Sequence, residues 1–204
     1  VCLQETKLAQ VSNAIVLDTL GSSFEDYYFL PADGTRGSIL LAWQRSTISL
    51  SNPLIDEHHV TALVSSLAGD GHWWLTGVYG AQDDDAKLEF LVELHDVRES
   101  RIGPWLIGGD FNMIASASEK NNPNINRRTI NRFRHFIADE ELRDLYMHGR
   151  RYTWSNKRDA PTLVRNDRIL CTSGWEIAHP HYLLRCLSSA ASDRCPLLVD
   201  CVAR

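Results

Sequence analysis

Two side chains that could act on a phosphate follow a short apolar stretch in the middle of the chain. Residues 104–107 lead into Gly108 and Gly109, and Asp110 and Asn112 come next. Being two positions apart, these two lie on one side of the chain if the extended backbone continues. The aspartate offers an acceptor or base and the asparagine a neutral amide donor, which together suit a phosphate or a metal-bound water. The pair could equally cap a turn, a common role for both residue types.

Further polar residues flank or interrupt apolar stretches elsewhere. Glu5 follows the first apolar residues, where it could be solvated or could be a hard oxygen ligand, since Mg²⁺ often uses only one or two protein carboxylates. Tyr79 ends a predicted strand. Asp167 lies inside a mostly apolar strand and needs a partner, because a buried and unpaired charge is costly. Asp193 and Arg194 belong to a polar loop that enters the last apolar strand through a proline.

The charge of the chain is unevenly distributed around a net value of −5. Residues 1–119 carry 6 Lys and Arg against 17 Asp and Glu, whereas residues 120–168 carry 12 against 6. A basic segment in an acidic chain is consistent with phosphate binding, although a solvated arginine-rich face would look the same. The five cysteines include no Cys-x-x-Cys pair, which argues against a zinc site or a disulfide framework and favours an intracellular protein.

The elements that must position these residues are mainly strands. A chain of 204 residues suits one domain, 1–204, and no apolar run approaches the roughly 18 residues of a membrane span. Helices are predicted at 8–20, 84–99 and 127–140, the last with Asn126 as N-cap. Strands arranged in hairpins favour an α/β (α+β) fold of two packed sheets with helices outside. The predicted strands are 1–4, 27–30, 38–43, 47–50, 59–67, 73–79, 105–108, 152–154, 167–171, 182–187 and 196–202, with turns at 33–37 and 69–71.

Taken together, the motifs resemble the endonuclease/exonuclease/phosphatase family, in order and in spacing. The segments that carry the resemblance are Gln4–Lys7, Val78–Gly80, Gly108–Asn112, Asn166–Arg168 and Ser192–Leu197. The resemblance covers essentially the whole chain and implies a DNase-I-like four-layer sandwich of two packed, mostly antiparallel β-sheets with helices outside. More narrowly, 109–126 and 151–156 resemble the endonuclease domain of plant LINE-type (non-LTR) retrotransposons.

This resemblance implies Mg²⁺-dependent hydrolysis of a DNA phosphodiester, with Mn²⁺ as a possible substitute, to nick a target strand that primes reverse transcription. Glu5 would be a metal ligand, with Asp193 near the metal. Asp110 would position or deprotonate the attacking water. Asn112 would hold the scissile phosphate, and Tyr79 would donate a hydrogen bond to a phosphate oxygen. Such a reaction needs donors for the charge that develops on the phosphate.

Two features depart from the family pattern. The family has Ser-Asp-His where this chain has Ser192-Asp193-Arg194, and arginine cannot exchange a proton near neutral pH. Asp167, which would orient that histidine, is expected to pair with Arg194 instead. The family also has an upstream strand with an asparagine near the metal, which would precede Val1, so we expect the sequence to start inside the domain. Both departures predict a degenerate copy with weak or no activity.

The resemblance further implies DNA as the partner, a nuclear location and, in an intact element, a reverse transcriptase domain on the same chain. Arg127, Arg128 and Arg132, at the start of a predicted helix, would contact DNA phosphates. Two alternatives remain open. One is another enzyme of the superfamily that acts on a phosphomonoester, a lipid or RNA. The other is a non-catalytic nucleic-acid-binding module that kept the surface and lost the chemistry.

Overall fold

The computed structural model describes residues 1–34, 37–67, 69, 71–188 and 192–201. Within them lie strands, four α-helices and a short 3₁₀ helix at Ala117–Glu119. The strands are β1 (Cys2–Gln4), β2 (Asp26–Leu30), β3 (Ile39–Trp43), β4 (Ile48–Ile55), β5 (His59–Ser66), β6 (His72–Tyr79), β7 (Trp105–Asp110), β8 (Leu142–Asp144), β9 (Met147–His148), β10 (Trp154–Ser155), β11 (Leu163–Val164), β12 (Asp167–Thr172), β13 (Leu183–Cys186) and β14 (Leu197–Asp200). The helices are α1 (Asn13–Leu20), α2 (Ala86–Ser100), α3 (Arg127–Asp139) and α4 (Ser173–Ala178).

The largest sheet has six strands in the order β4-β5-β6-β7-β12-β8. Its neighbouring strands are antiparallel except for β6 and β7, which run parallel. Two three-stranded sheets, β1-β3-β2 and β14-β13-β9, pack on one face of it, where Trp73 and Leu75 of β6 contact the apolar clusters of both. The second sheet layer is therefore divided into two parts. Strands β10 and β11 form a separate antiparallel ribbon.

Helices cover the outer faces of both sheet layers. On the free face of the six-stranded sheet, Phe90 of α2 and Phe133 of α3 belong to one buried cluster with Ile107 of β7. On the far side of β1-β3-β2, Val16 of α1 packs against Leu40 of β3. The order helix, sheet, sheet, helix confirms the predicted four-layer sandwich. Among the described residues, no helix is both long and apolar enough to cross a membrane.

Two of the three predicted helices have nearly the predicted limits, and one does not. Asn126 is the N-cap of α3, as predicted, and its side chain accepts hydrogen bonds from the N–H groups of Arg128 (3.0 Å) and Thr129 (3.3 Å). The predicted helix at 8–20 is wrong for its first turn, because α1 begins only at Asn13. Ser12 caps it by accepting from the N–H of Ile15. Leu8 instead accepts a backbone hydrogen bond from Ala32.

The predicted strands all correspond to observed ones, with differences in length. Strand β4 continues to Ile55, past Pro53, with a register shift between Ser51 and Leu54 that accommodates the proline. In place of the strand predicted at 152–154, only Trp154 and its neighbour Ser155 are paired. Of the predicted turns, residues 35, 36 and 70 lie outside the described residues, as does residue 202 at the end of the last predicted strand. Elements β8, β9, β11 and α4 were not predicted.

Candidate active site

Three of the predicted site residues meet at the same level of the central sheet. Strand β7 lies between β6 and β12. Asp110, its last residue, is in register with Tyr79 of β6 on one side and with Asp167 of β12 on the other. Glu5 follows β1 in the overlying sheet, and the hydroxyl of Tyr79 donates a hydrogen bond to its carboxylate. Strand order and register therefore bring together residues that are up to 162 positions apart.

Glycines on β7 and after β6 allow the backbone to pack tightly here. Gly109 has φ of +142°, and a Cβ on it would lie 2.2 Å from the carbonyl oxygen of Val78. A Cβ on Gly80 would lie 2.4 Å from the carbonyl oxygen of Phe111. Atoms cannot approach so closely, so side chains are excluded at both positions. Gly109 of the Gly-Gly-Asp-Phe-Asn motif and Gly80 are thus required by the packing of the backbone around Asp110.

Asp110 and Asn112 also form the turn that the sequence left as an alternative. Oδ1 of Asp110 accepts a hydrogen bond from the backbone N–H of Asn112 at 2.8 Å. Asn112 has φ of +49°, in the left-handed region that asparagine tolerates better than most residues. Its side-chain amide donates to the carbonyl of Gly80 at 2.7 Å. The turn leaves Oδ2 of Asp110 to face the centre of the site.

The centre of the site is the guanidinium of Arg194. Its Nη2 lies 2.5 Å from Oδ2 of Asp110 and 3.5 Å from Oε1 of Glu5. Its Nη1 lies 3.3 Å from both carboxylate oxygens of Asp167, so the expected pairing of these two residues is confirmed. One cation therefore faces three carboxylates. Asp110 is 1% exposed and Arg194 is 19% exposed at the side chain, so the cluster is largely withdrawn from water.

Electrostatics at this cluster favour a proton on Asp110. Burial, together with the negative charge of Asp167, raises the pKa of Asp110 to about 7, although the guanidinium of Arg194 opposes the rise. Burial alone would lower the pKa of Arg194, but the charges of Asp110 and Asp167 raise it above its ordinary value. Arg194 is therefore always charged. Burial and the hydrogen bond to Glu5 also raise the pKa of Tyr79 to about 12, so its hydroxyl stays protonated and can donate.

Asp193 points away from this centre. Its Oδ2 accepts a hydrogen bond from the indole N–H of Trp154 at 2.9 Å, and its side chain is exposed. Its backbone carbonyl accepts from the N–H of Ser155. Neighbouring Arg194 is bridged to Trp154 as well, so this loop is fixed along the β10 strand. Of the two residues expected near a metal, the structure thus places Glu5 at the carboxylate cluster and Asp193 beside Trp154.

The residues present do not fit the Mg²⁺ ion that the sequence resemblance implies. A cation bridging Glu5 and Asp110 would have to displace Nη2 of Arg194, which already lies between their oxygens. Oε1 of Glu5 is further engaged by the hydroxyl of Tyr79. In the described part of the chain, the group of three ligand atoms within 4.8 Å of one another is Glu57, His58 and Glu93, which does not include Glu5.

Some residues that support the site were not predicted from the sequence. Thr153 accepts a hydrogen bond from the backbone N–H of Asp167 through its hydroxyl, at 3.1 Å. The side chain of Gln82 donates to the hydroxyl of Tyr79 at 3.3 Å. Thr153 lies in the Arg-Tyr-Thr-Trp-Ser-Asn segment that carries part of the resemblance, so a signal for it existed. Gln82 follows the Val-Tyr-Gly motif by only two positions.

The basic residues proposed to contact DNA are at the surface. Arg127 and Arg128, in the first turn of α3, are exposed, and Arg132 one turn later is partly buried. The opposite face of α3 carries Ile130 and Phe133 into the core beside α2. The structure thus leaves the three arginines accessible to a ligand while the helix itself is anchored by its apolar face.

Fold and site together are those of a DNase-I-like four-layer sandwich with a carboxylate-rich site at the end of its central strands. The model of the endonuclease/exonuclease/phosphatase family matches residues 1–193, and this chain belongs to that family. No curated protein sequence matches the chain significantly.

Several solved structures share the fold at low sequence identity. The endonuclease domain of TRAS1, a telomere-specific non-LTR retrotransposon, superposes with a TM-score of 0.66 at 14% identity, over 96% of this chain and 93% of that one. TDP2 of D. rerio, complexed with a single-strand DNA product, gives 0.54 at 19% identity over 95% and 80%. A mannosyl-6-phosphatase of Bacteroides thetaiotaomicron gives 0.56 at 13% identity over 88% and 77%.

Proposed function

We propose that this chain is a DNA-binding endonuclease domain of the LINE retrotransposon type in which Arg194 suppresses phosphodiester hydrolysis. In an intact element it would act in the nucleus, on the same chain as a reverse transcriptase. The observation that carries the proposal is the contact of the Arg194 guanidinium with Asp110, Asp167 and Glu5. These are carboxylates that the sequence resemblance assigns to hydrolysis.

DNA is favoured as the ligand by the retrotransposon-like segments of the sequence and by the distribution of charge. The segment 120–168 carries a net positive charge, and Arg127, Arg128 and Arg132 begin a helix that is anchored in the core. Arginines on a rigid element are suited to holding a phosphate backbone in a fixed register. The similarity in fold to a retrotransposon endonuclease domain and to a DNA-bound TDP2 supports the same substrate class.

Suppression of hydrolysis follows from the position of Arg194. A carboxylate with a pKa of about 7, as in Asp110, could accept a proton from water near neutral pH. Its Oδ2, however, lies 2.5 Å from Nη2 of Arg194, so the guanidinium occupies the place from which a water would be deprotonated. Arg194 also cannot give a proton to a leaving group, because its pKa lies far above neutrality.

The metal requirement is a separate part of the proposal. The family is generally dependent on a divalent metal. In this chain the carboxylates are already engaged by an internal cation, so we expect weak affinity for Mg²⁺ and Mn²⁺. Arg194→His removes a fixed positive charge and should strengthen binding of either ion in titration calorimetry. Equal affinity in both proteins would contradict the electrostatic argument.

The main experiment is nicking of supercoiled plasmid with Mg²⁺ by the parent chain and by Arg194→His. General acid–base groups contribute roughly 10²–10⁴-fold, so the histidine variant should nick about 100-fold faster or more. Asp110→Ala added to the histidine variant is the matched control and should abolish the gain. DNA binding is measured in parallel by fluorescence anisotropy, so that loss of cutting and loss of binding are separated.

Each outcome discriminates between the functions considered. Binding to DNA with no cutting by either protein would favour a non-catalytic binding module. Failure to bind DNA, together with release of phosphate from a phosphomonoester, would favour a phosphatase of the same family. Fast nicking by the parent chain that Asp110→Ala does not reduce would show that the residue assignments are wrong.

A further inference from the structure

A cleft lined by arginines lies next to the loop that carries Arg194. It has a volume of about 600 Å³ and opens between the 3₁₀ helix and the segment that follows β8. Arginines 150 and 151 line it, together with Tyr146 and with Arg165 on its wall. The cleft lies outside the carboxylate cluster, and none of its lining residues has been given a role so far.

The charges in the wall of the cleft are balanced among themselves. Arg165 lies 2.7 Å from Asp144 and 3.5 Å from Glu119. Fully buried Arg168 lies behind them, 2.6 Å from Asp144 and 2.8 Å from Glu119. Two arginines therefore neutralise two carboxylates. The wall contributes rigidity and no net charge.

Arg150 and Arg151 are not neutralised in this way. Nη1 of Arg150 donates to Sγ of Cys195 at 3.2 Å, and Nη2 of Arg151 donates to the carbonyl of Ser118 at 2.7 Å. Among the described residues, neither arginine has a carboxylate within ion-pair distance. Both guanidinium groups are oriented by neutral acceptors, and that of Arg151 also lies 5.6 Å from the centre of the Tyr152 ring. Two oriented, uncompensated arginines at one cleft favour an anionic ligand with more than one charge.

An exposed aromatic ring stands beside these charges. Tyr146 is 72% exposed although it is a large hydrophobic residue. Its ring lies nearly perpendicular to the ring of His148, with 4.7 Å between centroids, and most of the Tyr146 side chain remains accessible to a ligand. Oriented arginines next to an open aromatic face are the combination that binds unpaired nucleotides, because phosphates meet the cations and bases stack on the ring.

The cleft is connected to the loop that carries Arg194 through a single residue. Cys195, which accepts from Arg150, is the neighbour of Arg194 in the chain. The N–H of Cys195 donates to the carbonyl of Thr153 at 2.9 Å, and the hydroxyl of Thr153 accepts from the N–H of Asp167. The cleft and the carboxylate cluster are therefore linked by one hydrogen-bonded segment.

We infer that the cleft binds a single-stranded segment of DNA. The inference rests on the proposed function and names the form of its substrate: a duplex with an unpaired tail. Arg150 and Arg151 bind the phosphates of the tail, and Tyr146 stacks on one of its bases. A fully paired duplex has no unstacked base to offer Tyr146.

The test compares two DNAs of equal duplex length, one blunt and one with a short thymidine tail, by fluorescence anisotropy across a range of salt. The parent chain should bind the tailed DNA about tenfold more tightly, as expected for one stacked base plus two phosphate contacts. Arg150→Ala with Arg151→Ala should remove that difference. It should also lower the slope of log affinity against log salt by about 0.7 per arginine for the tailed DNA.

Matched variants separate binding from folding. Arg45→Ala with Arg185→Ala removes the same charge from two exposed arginines that are paired with carboxylates elsewhere, and should leave the preference for the tail intact. The Arg→Lys pair at 150 and 151 keeps the charge and should keep most of the salt slope. Tyr146→Ala should lose the quenching of a 2-aminopurine placed in the tail, whereas Tyr146→Phe should retain it, because stacking needs the ring and not the hydroxyl.

The results also separate this inference from the proposed function. Equal binding of blunt and tailed DNA by the parent chain would overturn the inference and leave the proposed function standing. A preference for the tail that survives in the Arg150→Ala, Arg151→Ala variant, or that the Arg45→Ala, Arg185→Ala control also loses, would overturn the assignment of the cleft. No binding of either DNA would overturn the proposed function, and the inference with it.

Discussion

The protein holds two buried ion clusters that differ in their charge balance. In the first, Arg165 and Arg168 face Glu119 and Asp144, two cations against two carboxylates. In the second, Arg194 alone faces Asp110, Asp167 and Glu5. Neighbouring residues of β12 contribute to each, since Arg168 and Asp167 point to opposite sides of the strand. The same element thus serves a balanced cluster on one face and an unbalanced one on the other.

The difference shows how the two clusters are maintained. Glu119 keeps a lowered pKa despite burial, because Arg168 and Arg165 lie beside it and the N–H of Ala115 donates to it. Burial raises the pKa of its partner Asp144, although the same two arginines oppose the rise. Asp110 has a pKa raised to about 7, because burial and Asp167 outweigh its single cation. A balanced cluster is suited to hold structure. The unbalanced cluster holds a carboxylate with a strongly raised pKa, a feature that is frequent at functional sites.

The largest effect is expected from Arg168→Met. Arg168 is fully buried, and its loss would leave Glu119 and Asp144 with only the partly exposed Arg165. Removing one partner of a buried ion cluster costs about 3–5 kcal/mol of the free energy of unfolding. Urea denaturation measures it. Arg143→Ala, which breaks an exposed pair with Glu176, is the control and should cost less than about 1 kcal/mol. Equal losses in the two variants would mean that the first cluster is not structural.

Asp110→Asn tests the raised pKa of the second cluster. The folded protein holds the proton of Asp110 up to about pH 7, whereas the unfolded chain releases it near pH 4. Between these values the folded state binds more protons, so Asp110 makes the free energy of unfolding fall as pH rises.

Asparagine does not titrate, so the free energy of unfolding of Asp110→Asn lacks the decrease with rising pH that Asp110 causes in the parent. Its stability relative to the parent should therefore rise by up to about 4 kcal/mol between pH 4 and pH 8 and then level off. Denaturation at several pH values provides the measurement. A stability difference that is constant across this range would mean that the pKa of Asp110 is close to its ordinary value.

Arg194→Met is matched to Arg168→Met but should cost only about 1–2 kcal/mol at pH 7, because Asp110 can take up a proton when its cation is removed. In the first cluster the pKa of Asp144 is also raised, but Glu119, whose pKa is lowered, stays ionised beside Arg165. The loss should grow at pH 9, where protonation of Asp110 becomes harder. A loss of stability as large as that of Arg168→Met at neutral pH would show that Asp110 does not take up a proton when Arg194 is removed.

The sequence was sufficient to predict most of the second cluster, around Arg194, and none of the first, around Arg168. Asp110 and Asp167 lie at the ends of clearly apolar strands, and the family-like spacing of the motifs aligned them with Arg194. Glu119 and Asp144 lie 49 and 24 positions from Arg168, with no motif linking them. Pairing over such distances depends on β8 lying beside β12, and β8 has only three residues, too few for a periodic pattern.

Similar limits explain the other differences between prediction and structure. Leu8 and Val11 continue the helical spacing of α1, but the capping bond of Ser12 sets the start of the helix at Asn13. The direction of the Asp193 side chain was not predictable either. The pairing of Arg194 with Asp167 was expected from the motif, but nothing in the motif indicates that the neighbouring Asp193 side chain turns to Trp154.

The smallest effect is expected at Asp193, which marks the boundary of the unbalanced cluster. Its carboxylate is exposed and accepts a hydrogen bond from the indole of Trp154, so Asp193→Asn keeps an acceptor and should change the free energy of unfolding by less than about 0.5 kcal/mol. Water screens an exposed charge, so Asp193→Asn should not change how the free energy of unfolding depends on pH.

A double-mutant cycle tests this expectation. It compares the parent, Asp193→Asn, Asp110→Asn and the doubly substituted protein over the same pH range. Additive effects place Asp193 outside the cluster. A coupling of more than about 1 kcal/mol would mean that its charge reaches Asp110 and that the cluster holds four carboxylates against one arginine.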